Sequence, residues 1–160
     1  MSKLYIHYGN DHFDPDKFKQ IMNLFLSNKP CGGLWASPCN AERSWYKWCK
    51  SEKFRIESFD KWFTFTLKDD AKILTIKTEQ DLCELENNGF CVDKYTKIRY
   101  NLRGFYPDFE KLAKHYDAIE VYMSDTIYWG LYGWDCDSLL VLNPDCVVPD
   151  SNIEKVDYNV

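Results

Sequence analysis

Three short stretches far apart in the chain carry the residue types from which a site could be built. They are His7-Tyr8-Gly9, at the end of the apolar run Leu4-Tyr5-Ile6, Gly32-Gly33-Leu34-Trp35-Ala36-Ser37-Pro38, and Gly133-Trp134-Asp135-Cys136-Asp137-Ser138, which leads into Leu139-Leu140-Val141-Leu142. A neutral imidazole both donates and accepts a hydrogen bond, a hydroxyl does the same, and a carboxylate stabilises positive charge. In the middle stretch Trp35 and Ser37 stand at i and i+2, so an extended backbone points both to one face and sends Leu34 and Ala36 to the other. An aromatic plane beside a hydroxyl suits a flat polar ligand, and glycines without Cβ let another group come close. The same stretch also reads as an ordinary half-buried strand that packs Trp35 and stops at Pro38.

Other chemistries find less support. Only three histidines are present, His7, His12 and His115, and none has a second histidine or a cysteine at ligand spacing, so no metal site is expected. The seven cysteines are odd in number and include no Cys-x-x-Cys pair, which argues against a zinc ribbon or a dithiol redox motif. A cysteine nucleophile with a histidine base stays open, although no local signature marks one. Gly32-Gly33 has neither Gly-x-Gly-x-x-Gly spacing nor a following Lys-Ser/Thr, so it is not a phosphate loop.

The elements that must position these residues alternate early and become strand-rich late. The pattern predicts a strand over Leu4–Tyr8, then a helix opened by Asp14-Pro15 and continuing through Phe18, Ile21, Met22 and Phe25. A strand over Gly33–Ser37 follows, then a helix from about Ala41 to Lys50 capped by Asn40. Trp62–Leu67 and Ala71–Ile76 read as one hairpin or one long kinked strand, and Thr78 starts a short helix. A helix over Pro107–Tyr116 and strands over Ala118–Met123 and Ser138–Leu142 complete the pattern, with 87–104 undecided. One α+β domain spanning 1–160 is expected, with a split mixed or antiparallel sheet and flanking short helices.

Twenty basic against 25 acidic residues leave a net charge of −5, which argues against broad binding to a phosphate backbone but leaves room for a local basic patch. The segment Lys94–Arg103 is locally different: it interleaves four cations with two tyrosines, a pattern for gripping phosphate or a nucleic-acid strand, or else a charged edge strand. The start of the chain lacks a signal-peptide pattern and no apolar run reaches membrane-spanning length, so a cytoplasmic protein with free thiols and no membrane contact is expected.

The order of the three stretches resembles that of the compact mono-ADP-ribosyltransferases found as small bacterial toxins and phage-encoded inhibitors. The resemblance spans most of the chain as an order of elements. It implies an ADP-ribosyltransferase-like fold and NAD as substrate, with ADP-ribose passed to a protein or nucleic-acid acceptor, or to water. His7 then matches the first-strand histidine on the adenosine side of NAD; Tyr8 separates it from Gly9, where the family has His-Gly or Arg-Gly, so Tyr8 shares that assignment. Gly33 and Ser37 match the second strand, with Ser37 orienting the carboxamide and Trp35 or Tyr46 stacking on nicotinamide. Asp137 matches the late acid, usually a glutamate, with Asp135, Asp125 and Glu120 as substitutes. Glu120 also reads as a solvent-facing strand residue, since it alternates with Ile119 and Val121. Two other functions compete: a non-catalytic acidic protein that blocks a basic partner surface or sequesters a nucleotide, and a thiol-dependent hydrolase.

Overall fold

The computed structural model describes residues 2–55 and 59–150. Its strands are β1 (Tyr5–Tyr8), β2 (Leu34–Pro38), β3 (Trp62–Leu67), β4 (Ile73–Ile76), β5 (Ala118–Val121), β6 (Ser138–Val141) and β7 (Val147–Pro149). They form one seven-stranded sheet in the order β4-β5-β6-β2-β1-β3-β7, antiparallel except for the parallel β4–β5 pair. The α+β class and the mixed sheet expected from the sequence are both seen.

Alternation along the central strands supplies a core on each face. Leu140 and Leu142 pack with Leu82, Phe109, Leu112, Ile127 and Trp134, while Leu139 and Val141 pack with Tyr5, Phe63, Phe65 and Cys146. The helices are short and well capped. In α1 (Trp45–Glu52) the Ser44 side chain accepts from Lys47 N, and α2 (Glu79–Asn87) opens with a capping box between Thr78 and Asp81. Asp93, Asp108 and Ser124 cap α3 (Lys94–Arg99), α4 (Phe109–Leu112) and α5 (Asp125–Gly130) in the same way.

One irregularity in the sheet decides where a ligand could enter. β1 pairs with β2 only at Tyr5↔Pro38 and Ile6↔Ser37. Beyond that point β1 stays with β3 through His7↔Phe63 and Tyr8↔Trp62, while β2 stays with β6 through Trp35↔Leu140 and Leu34↔Val141. The two strands therefore part between His7-Tyr8 and Leu34-Trp35, and a wedge opens in the middle of the sheet.

Several local expectations are corrected. The helix predicted through Phe18–Phe25 is only a 3-10 turn over Pro15–Lys17. The following residues run extended instead, with Met22 bridged to Cys31 and Gly33 N donating to Lys19 O at 2.8 Å. Tertiary pairing overrides the helical periodicity there, because a Cβ on Gly32 would lie 2.3 Å from Gln20 O and only glycine admits that approach. The helix α1 starts after Ser44, not Asn40. β3 and β4 are neither a hairpin nor one kinked strand, since β3 pairs with β1 and β7 and β4 pairs with β5. The segment Lys94–Arg99 is a helix, not an edge strand.

Candidate functional site

The wedge between β1 and β2 holds a cavity of about 340 Å³, lined by Ile6, His7, Tyr8, Lys29, Pro30, Trp35, Ala36, Ser37, Trp45, Arg55, Asp135, Cys136 and Ser138. That size falls at the lower end of small-molecule sites, which run from about 300 to 1,000 Å³. Residues from all three stretches singled out in the sequence meet here: His7 and Tyr8, Trp35 and Ser37, and Asp135.

His7 closes the gap left by the missing ladder. Its Nδ1 lies 2.6 Å from Trp35 O, and a carbonyl can only accept, so Nδ1 carries the proton. Nε2 is left as an acceptor, with the Asn10 amide nitrogen 3.4 Å away. Burial pushes the His7 pKa below its ordinary value, and the hydrogen bond to Trp35 O opposes that shift without cancelling it. The ring is neutral at pH 7 and rests against Phe63, with ring centres 5.1 Å apart.

Aromatic rings form the walls. Trp35 packs against Trp134 with ring centres 4.8 Å apart, and Lys29 Nζ stands 5.4 Å from the Trp35 ring centre. Tyr46 does not line the cavity; it stacks behind Tyr8 at 6.1 Å, and Phe59 meets both rings edge-on. Gly33 does not line it either. At φ +73° it packs so closely that a Cβ would lie 2.6 Å from Leu140 Cδ1 and 2.8 Å from Val141 O.

The two late aspartates separate. Asp135 lines the cavity, whereas Asp137 does not: its Oδ1 accepts from Met123 N at 2.7 Å, and its own N–H donates to Arg43 O at 2.7 Å. The chain bends at Cys136 and Asp137, just before β6, which leaves Asp135 and Cys136 on the cavity and turns the Asp137 carboxylate to Met123 N. Asp125, the first residue of α5, lines a different surface depression, which Asp135 also borders. Glu120 is only 6% exposed, so the solvent-facing expectation is corrected. It is held by Lys3, Tyr5 and Tyr122 away from the wedge.

Ser37 sits on the cavity floor with its hydroxyl already engaged. Its Oγ accepts from Trp45 N at 3.1 Å, which ties β2 to the first turn of α1, and the Cys136 thiol, also on the cavity, lies 3.5 Å from Ser138 Oγ. Burial pushes that thiol up to about 11, so Cys136 is a neutral thiol at pH 7, not a nucleophilic thiolate. Burial likewise lifts Cys49 and Cys146 to about 11 and Cys39 and Cys91 to about 12.

The chain matches no protein-family model, no curated protein and no solved structure.

Sequence reasoning missed the two cations of the cavity, Lys29 and Arg55. Lys29 lies in a loop and Arg55 just beyond α1, where periodicity carries no information. The only available signal was Lys29-Pro30 directly before the Cys31-Gly32-Gly33 turn. Against the single carboxylate of Asp135, the pair gives the described lining residues a positive balance inside an acidic chain. Among the described residues no cluster of three or more His, Cys, Asp or Glu could hold a metal, and no helix is long and apolar enough to cross a membrane.

Proposed function

We propose that the wedge binds NAD and that the protein is a mono-ADP-ribosyltransferase, passing ADP-ribose to a macromolecule or, with water as acceptor, hydrolysing NAD. The observation that carries this reading is the convergence of His7, Tyr8, Trp35 and Asp135 on one cavity that also holds Lys29 and Arg55. A ligand matching that set has a flat ring, a sugar and negative charge, as a dinucleotide does.

Each residue then has a physical task. Trp35 supplies an apolar plane for the nicotinamide ring. Lys29 and Arg55 offer charge-assisted donors to the diphosphate. His7, fixed as the Nδ1–H tautomer, presents Nε2 as an acceptor for a ribose hydroxyl. Asp135, the only carboxylate among the described lining residues, stabilises positive charge growing at ribose C1′ as the bond to the nicotinamide nitrogen breaks and its electron pair leaves with the ring. The acceptor's nucleophilic atom then bonds to C1′ and its proton passes to Asp135. Ser37 acts as a positioning residue through its bond to Trp45 N, whereas Asp137, bonded to Met123 N outside the cavity, serves the fold and not the reaction.

Calorimetric titration of the protein with NAD tests this reading. Binding is expected, and Lys29→Ala and Arg55→Ala each weaken it about tenfold, the size of one lost charged hydrogen bond. No heat of binding at millimolar NAD, or affinities unchanged in both variants, would overturn it.

A further inference from the structure

Three segments meet on a second surface, and across them the charge pattern of the chain inverts. Residues 22–31, 94–107 and 126–134 together contain five cations, Lys29, Lys94, Lys97, Arg99 and Arg103, and no carboxylate, in a protein of net charge −5. The same segments carry large rings in water: Phe25 is 83% exposed, Tyr95 85% and Trp129 72%, with Tyr100 and Tyr132 also exposed. Burying such rings is the usual outcome of folding, so leaving several on one acidic protein marks a contact surface.

The segments are physically continuous. Phe25 meets Tyr100 edge-on with ring centres 6.0 Å apart, and the Arg99 guanidinium stands 5.6 Å from the Tyr100 ring centre. The Asn28 side chain donates to Phe105 O, and Phe105 N donates to Gly130 O at 2.8 Å, which joins the loop after α3 to α5. Gly104, at φ +82°, permits that approach, because a Cβ there would lie 2.7 Å from Gly130 O. Towards the wedge, a Cβ on Gly133 would lie 3.9 Å from Lys29 Cε, so the third segment runs beside the Lys29 side chain. Of the carboxylates that border the segments, Glu86 pairs with Lys97 at 3.0 Å, Asp93 caps α3 through Thr96, and Asp108 and Glu110 accept from Asn23, while Asp125 and Asp135 stand at the edge towards α5.

We propose that this face binds single-stranded nucleic acid. Separate exposed rings interleaved with cations are what a single strand needs, since bases stack on rings whatever their sequence while lysine and arginine track the phosphates. A duplex keeps its bases stacked inside and offers those rings nothing. The proposal does not depend on the NAD reading.

Fluorescence anisotropy with labelled oligo(dT) and oligo(U) of about twelve nucleotides tests it, a length within the range that single-strand sites cover. Both strands are expected to bind at low salt. With Lys94, Arg99 and Arg103 as the phosphate contacts, the slope of log affinity on log salt is about −2, a roughly fifteenfold loss from 50 to 200 mM. Tyr95→Ala and Tyr100→Ala each weaken binding about tenfold, with melting temperatures unchanged for these exposed side chains. Absence of binding at low salt overturns the proposal and leaves the face to a protein partner. Equal binding of duplex, or binding unaffected by both tyrosine variants, overturns it as well.

Discussion

Asp135 and Asp137 sit two positions apart, yet one carboxylate faces the cavity and the other is tied to a backbone N–H. Their alanine variants should therefore fail in different ways. Asp137→Ala strands Met123 N and costs about 1–3 kcal/mol of stability, readable as a lower midpoint in urea unfolding, with NAD turnover per folded molecule retained. A stable but inactive Asp137→Ala protein would contradict that division. His7 gives a second residue-level test. Burial holds its folded pKa below the ordinary value, so the unfolded chain takes up the proton first as pH falls. The stability contributed by neutral His7 is present above about pH 6.5 and is lost as pH drops through the folded value. Between pH 7.5 and pH 5 the melting temperature should fall by less in His7→Gln than in the wild-type protein, and equal falls would refute the burial argument.

At the scale of elements, the strands were legible and the loops were not. β1, β3, β4, β5 and β6 fall within predicted strands and β2 ends one residue beyond its predicted bounds, because alternation and β-branched or aromatic runs write period two directly into the chain. β7 was missed because Val147–Pro149 is only three residues long. α5 was missed because Asp125–Gly130 has little room for a helical period. The false helix over Phe18–Phe25 shows the opposite failure, an apolar spacing of helical type in a segment whose backbone pairs with 31–33 instead. In the site, the meeting of the three stretches was readable from their order along the chain, but the first-choice acid Asp137 lies off the cavity and its substitute Asp135 lines it, an outcome that depended on the bend before β6, while the exit of Gly33 depended on packing depth. Gly33→Ala tests the packing claim. It forces alanine into φ +73° and against Leu140 and Val141 O, so a clear loss of melting temperature is expected and a neutral effect would contradict the geometry.

For the whole molecule, the parting of β1 from β2 is the organising fact. A sheet that kept those strands paired would have no wedge, and His7 would have no gap to bridge. Among the described residues the wedge gathers two cations, one carboxylate and several rings in a chain whose overall charge is −5, so their positive balance is local to the cavity. The measurement that tests this account most directly is release of nicotinamide from NAD by the purified protein and by Asp135→Ala. The account predicts release by the wild-type chain and a loss of roughly 100- to 1,000-fold in the variant, the usual consequence of removing one preorganised charge at a reacting centre. No release by the wild-type protein, or equal release by Asp135→Ala, would contradict it.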